Sequence, residues 1–194
     1  NLGSTLQELG RLDDAKASLI QAIALKPDYA EVHNNLGITL QEQGRLDDAK
    51  ASYAQAIALK PDYAEAHSNL GNTLHELGRL EEAEASYTQA IALKPDFAKA
   101  HYNLGVTLQE LGRLDDAKAS LIQAIALKPD YALAHSKLGF TLTAMGSKES
   151  ALRHFKRNLQ LKRGINPVDL HHKSFIKISN AKLDHDIEQF EYLA

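Results

Sequence analysis

Apolar positions along the chain fall at helical spacing in short blocks, each closed by glycine or proline. Between Ala30 and Tyr63, Leu36, Leu40 and Gln43 follow one face until Gly44 interrupts them. A glycine just past the last periodic residue is a helix-stop signal. A second block opens with Asp47 and Asp48, where acids suit the positive end of a helix dipole. Its inner positions are Ala49, Tyr53, Ala56, Ile57 and Leu59, and Lys60 lies near its C-terminus. Pro61-Asp62 ends this helix and opens the next, because proline cannot continue the ladder and aspartate can cap an N-terminus. Asp28 with Glu31, and Asp62 with Glu65, stand at capping-box spacing. Each stretch of this kind predicts a pair of short antiparallel helices.

The same stretch recurs. Copies start at Asn1, Asn35, Asn69 and Asn103, which are 34 residues apart, and a looser fifth begins at Lys137. The first and fourth copies differ only at Ser4/Val106, Glu31/Leu133, Val32/Ala134 and Asn34/Ser136. A fixed period of this length means stacked units that bury their apolar faces on one another, not one central core. Small residues recur where the helices of a pair must approach closely: Gly37, Ala49 and Ala56, then Gly71, Ala83 and Ala90. A glycine inside a helix costs about 1 kcal/mol relative to alanine, so its return in each copy implies a packing need.

Counted from Ala30, the residues Leu36-Gly37, Leu40, Ala49, Tyr53, Ala56 and Pro61 resemble the tetratricopeptide repeat (TPR) pattern. His33 stands where that pattern favours tryptophan, and Leu40 where it favours tyrosine. The resemblance covers about residues 1–165: a partial repeat over 1–29, repeats over 30–63, 64–97 and 98–131, and a degenerate one over 132–165. It implies an all-α, right-handed superhelical solenoid whose first helices line a concave groove. In the degenerate copy Asn158 replaces the small residue and Arg163 the proline, so its second helix is expected to run to Lys162 or Arg163, with Gly164 as stop. Residues 166–194 read as a linker and a C-terminal amphipathic helix, with Ile176, Leu183, Ile187, Phe190 and Leu193 on one face. Capping of the last repeat is the favoured role. The alternatives are the first element of a following domain, or a segment that binds a groove.

Composition excludes several classes of function. There is no cysteine, so disulfides and thiolate metal sites are out, and a reducing, cytoplasmic setting is the expectation. A net charge of -3 gives no reason to expect nucleic acid. No apolar run approaches membrane-spanning length. The chain begins inside a repeat and without methionine, as a fragment would.

The search for chemistry turns up a binding surface and no catalytic group. His33, His67, His101 and His135 recur. Neighbouring helix axes lie about 8–10 Å apart, far beyond sharing one ion at about 2 Å, so half-buried rings between helices are the reading. Asp47-Asp48 and Glu81-Glu82 are helix-start acids, and there is no phosphate loop and no nucleophile elbow. Neither a cofactor nor a metal is expected, and the chain reads as a non-enzyme.

The frame is nearly constant between copies while one stripe on the first helix varies: Glu31, Glu65, Lys99 and Leu133; Asn34, Ser68, Tyr102 and Ser136; Ser4, Ile38, Asn72 and Val106. In the family these positions face the groove; neutral drift on solvated sites is the competing account. Asn35, Asn69 and Asn103 form a ladder of amides, which donate and accept and so can hold an extended peptide backbone. This ladder resembles the one in the superhelix of O-linked N-acetylglucosamine transferases. The competing account is that the amides bond neighbouring helices and fix the pitch. Lys137 breaks the ladder in the fifth copy. A carboxylate clamp of the kind that holds chaperone tails is matched at Asn72, Asn103 and Lys137, but Ser68 and Leu133 stand where it needs lysines.

The sequence thus reads as a protein–protein interaction module. Asn35, Asn69 and Asn103 would hold a peptide's backbone, and Asn72, Ile38, Lys99, Tyr102 and Lys137 would sort its side chains or anions. Alternatives are the substrate-recruiting part of a multidomain enzyme, such as a glycosyltransferase, and a self-assembling scaffold. The chain itself would be a monomer, or a dimer joined through its tail.

Overall fold

The computed structural model describes residues 5–6 and 9–162. The readings placed on the tail, from Gly164 to the helix after residue 166, lie outside the described residues. Among those described are α1 (Leu12–Leu25), α2 (Ala30–Glu42), α3 (Leu46–Leu59), α4 (Ala64–Glu76), α5 (Leu80–Leu93), α6 (Ala98–Glu110), α7 (Leu114–Leu127), α8 (Ala132–Ala144) and α9 (Lys148–Lys162). Strands are absent from the described residues.

Packing runs chiefly from each helix to the next. Helices α2/α3, α4/α5, α6/α7 and α8/α9 form the pairs, and α3/α4, α5/α6 and α7/α8 join one pair to the next. First helices also touch across repeats, α2 on α4, α4 on α6 and α6 on α8. Second helices have no such mutual packing among the described residues, so the first helices form the inside of the curve. This arrangement is an all-α solenoid.

Each pair closes on the predicted glycine. Gly44 has φ +73°, a left-handed conformation that costs glycine little. Its N–H donates to Gln41 O at 2.9 Å and Arg45 N–H to Leu40 O at 2.9 Å, the two bonds of a Schellman cap. The small residues inside the first helices make room for a ring. A Cβ added to Gly71 would stand 2.7 Å from Tyr87 Cε1, and one added to Gly37 would stand 2.6 Å from Tyr53 Cε1. Tyr53 and Tyr87 are 0% and 2% exposed, so those rings have nowhere to go.

One local expectation needs correction and another gains detail. The Asp28/Glu31 and Asp62/Glu65 pairs do not make capping boxes: the helices start two residues later, at Ala30 and Ala64, with Tyr29 and Tyr63 as uncapped N-cap residues. The Pro-Asp turn needs one more residue before helical geometry begins, and Glu31 and Glu65 reach instead to Lys60 and Lys94 at the end of the second helix of the same repeat. The recurring histidines have a more definite task than filling an interface. His33, His67, His101 and His135 place Nε2 2.9, 3.1, 3.0 and 3.2 Å from the carbonyl oxygens of Pro27, Pro61, Pro95 and Pro129. Each ring ties a first helix to the turn that enters it.

Candidate functional site

On the inner side, α4 and α6 enclose a cavity of about 340 Å³ lined by Gln41, Asn72, His75, Glu76, Tyr87, Lys99, Tyr102, Asn103 and Val106. Four residues singled out from sequence meet here: Asn72, Lys99, Tyr102 and Asn103. Lys99, Tyr102 and Asn103 share one face of α6, since positions three and four apart do so, and Asn72 joins them from α4. Their environment is polar at the floor and aromatic at one wall.

The floor is a hydrogen-bonded set rather than loose amides. Tyr87 Oη donates to Asn72 Oδ1 at 2.9 Å, and Asn103 Nδ2 donates to the same oxygen at 2.7 Å. One repeat earlier, Asn69 Nδ2 donates to Asn34 Oδ1 at 3.0 Å, and Asn34 is buried. Ladder asparagines therefore do bond the preceding first helix, as the pitch-fixing account has it. An amide carries two N–H groups and an accepting oxygen, so one such bond does not exhaust it. Burial, with smaller help from Glu76 and Glu110, pushes the Tyr87 hydroxyl well above its ordinary pKa. It remains a donor at any physiological pH.

The wall is formed by Tyr102, whose ring centroid lies 5.0 Å from that of Tyr131. Lys99 is exposed and stands in the first turn of α6, where α2 and α4 carry Glu31 and Glu65. Glu65 is held below the usual carboxylate range, first by its hydrogen bond from Lys94; Glu31 is lowered too, chiefly by a backbone hydrogen bond.

The other residues singled out lie apart from the cavity lining. Ile38 packs against the buried cluster of Leu40, Ala49 and Tyr53. Lys137 is half-buried on α8, and Asn35 and Asn69 sit one repeat nearer the N-terminus on α2 and α4. Conversely, Gln41, His75 and Glu76 line the cavity and were not anticipated. Their signal was present: His75 and Glu76 follow Asn72 by three and four residues, the spacing that continues a stripe down a helix. Gln41 donates to Glu76 and accepts from Tyr53 Oη at 3.1 Å, and His75 lies 3.2 Å from Glu110 Oε2. Among the described residues no cluster of three or more metal-type ligands occurs, and no helix is long and apolar enough to cross a membrane.

Comparison with known proteins agrees with this geometry. The family profile described as TPR repeat matches residues 3–44, 40–78, 71–112 and 108–146. No curated protein matches the chain. A crystal structure of MamA superposes with TM-score 0.77 at 26% identity, over 84% of this chain and 96% of that one. PilF of Pseudomonas aeruginosa superposes with TM-score 0.77 at 23% identity, over 82% of this chain and 72% of that one. YrrB, described as a TPR protein with an unusual peptide-binding site, superposes with TM-score 0.70 at 21% identity, over 90% and 89%. The last two bear on the fold alone. With family matches spanning most of its length, and with helix pairs, glycine caps and a glycine closely packed on the facing helix in successive repeats, the chain belongs to the tetratricopeptide repeat family.

Proposed function

We propose that the chain is a protein–protein interaction module whose inner groove holds an extended segment of a partner protein. The observation that carries this is the cavity itself: Asn72, Asn103, Tyr102 and Lys99 converge on it from two successive first helices. Amides suit a peptide backbone, and the tyrosine face suits an apolar side chain. Because the helices are preformed, ordering cost falls on the ligand, and moderate affinity is expected. Peptide binding by YrrB offers a precedent on the same fold. The set of groups at the cavity suits holding a ligand rather than transforming it, so the module is read as non-enzymatic.

Selection of random peptides by display on the whole chain tests the proposal. Peptides recovered by the wild type should lose at least tenfold in affinity to Asn69→Ala combined with Asn103→Ala, with a melting curve confirming that the double variant remains folded. Unchanged affinity in the folded double variant rejects the amide ladder as the peptide-holding element.

A further inference from the structure

The second helices α3, α5 and α7 are each followed by the same lysine, Lys60, Lys94 and Lys128. The lysine faces the second residue of the first helix 29 positions earlier: Lys60 Nζ lies 3.4 Å from Glu31 Oε1, and Lys94 Nζ lies 2.9 Å from Glu65 Oε1. The third instance of that relation joins Lys128 to Lys99. The position that holds a carboxylate in two repeats thus holds a second lysine in the third. Both lysines are exposed, and neither has an ion-pair partner among the described residues.

Other contacts link both lysines to the cavity. Lys99 lines it together with Tyr102. Lys128 Nζ sits 5.2 Å over the Tyr131 ring, and that ring packs on Tyr102 at 5.0 Å. Lys99 also stands in the first turn of α6, which holds no acid, so it shares its sign with the helix dipole there. Two like charges and a dipole end of the same sign raise the local potential in favour of an anion.

We propose that the groove takes an acidic segment, with a glutamate or aspartate of the partner bridging Lys99 and Lys128 where the chain's own Glu31 and Glu65 stand in the preceding repeats. This rests on the groove reading above and adds the chemical class of the ligand.

The test uses two arrays of decapeptides, one with a central Glu-Glu pair and one with Gln-Gln, otherwise randomised alike. Each is probed with the whole chain and with Lys99→Glu, which rebuilds the pair seen at Glu31 and Glu65 and is expected to melt no lower than wild type. Wild type should give about fivefold more signal on the Glu arrays, the order expected of one or two exposed ion pairs. That preference should shrink with added salt and vanish in Lys99→Glu. Equal signal on both arrays overturns the acidic preference and leaves groove capture standing. A preference that survives Lys99→Glu overturns the assignment to this lysine pair. No signal on either array overturns both readings.

Discussion

The hydroxyl of Tyr87, a ring buried between α4 and α5, donates to Asn72 Oδ1 at 2.9 Å on the groove side. A core residue and a groove residue are thus one hydrogen-bonded unit, and Asn103 of the next repeat joins it at the same oxygen. Replacing Tyr87 by phenylalanine keeps the packing and removes only the donor. Loss of one net hydrogen bond is expected to cost about 1 kcal/mol. Chemical denaturation should show that loss, together with weaker peptide binding than in Tyr53→Phe, whose hydroxyl bonds Gln41 instead.

Gly71→Ala isolates the packing term. The new methyl would stand 2.7 Å from Tyr87 Cε1, and the ring cannot swing away without breaking its bond to Asn72. Alanine's better helix propensity works in the opposite direction by about 1 kcal/mol, while overpacking typically costs about 1–3 kcal/mol. A lower denaturation midpoint than wild type is expected. A higher midpoint would show that the ring yields freely.

Stability should depend on the pH through the fifth repeat. His135 Nε2 is 3.2 Å from the Pro129 carbonyl oxygen, which can only accept, so that nitrogen carries the proton. Its Nδ1 is then the acceptor, and His154 Nδ1, 3.0 Å away, donates. Protonating His135 would set two N–H groups face to face. Burial first, then Arg157 for His135, and His135 and Arg153 for His154, keep both pKa values below the ordinary 6.5. Below that pH the unfolded chain takes up protons that the folded chain refuses, so stability falls as pH drops from about 6.5 and is flat above it. Melting curves between pH 5.5 and 8 should show this, with a shallower slope in His154→Phe. An unchanged slope would exonerate the pair.

The Lys94–Glu65 contact, by contrast, should matter little to folding. Both side chains are more than two-fifths exposed, at 44% and 48%, and solvent screens exposed pairs so that they contribute little to stability. Glu65→Gln is expected to shift the melting midpoint only slightly, and less still in high salt. A large loss would mean the pair is part of a wider network.

Much of this was legible in the chain because a 34-residue period constrains every unit at once. Gly44 announces its turn and Gly71 announces a close neighbour, and each appears where the repeat puts it. What sequence could not give was the partner of a polar group. Asp62 and Glu65 have the spacing of a reciprocal cap, yet the glutamate finds Lys94 at the far end of the same repeat, a contact set by how the two helices of a pair fold back on each other rather than by neighbours in sequence. Asn72 was legible as a groove position, but not its two donors, since Tyr87 and Asn103 reach it from other helices. Ile38 was legible as a groove position on its helical phase, but not that its half-buried side chain also packs against the Tyr53 cluster.

Among the described residues each helix pair packs on the pairs to either side, so small rotations at successive junctions would add along the array, as in a coiled spring. The cavity between α4 and α6 straddles one such junction. A segment held there, as proposed, would act as a wedge between two neighbouring units and bias the angle between them.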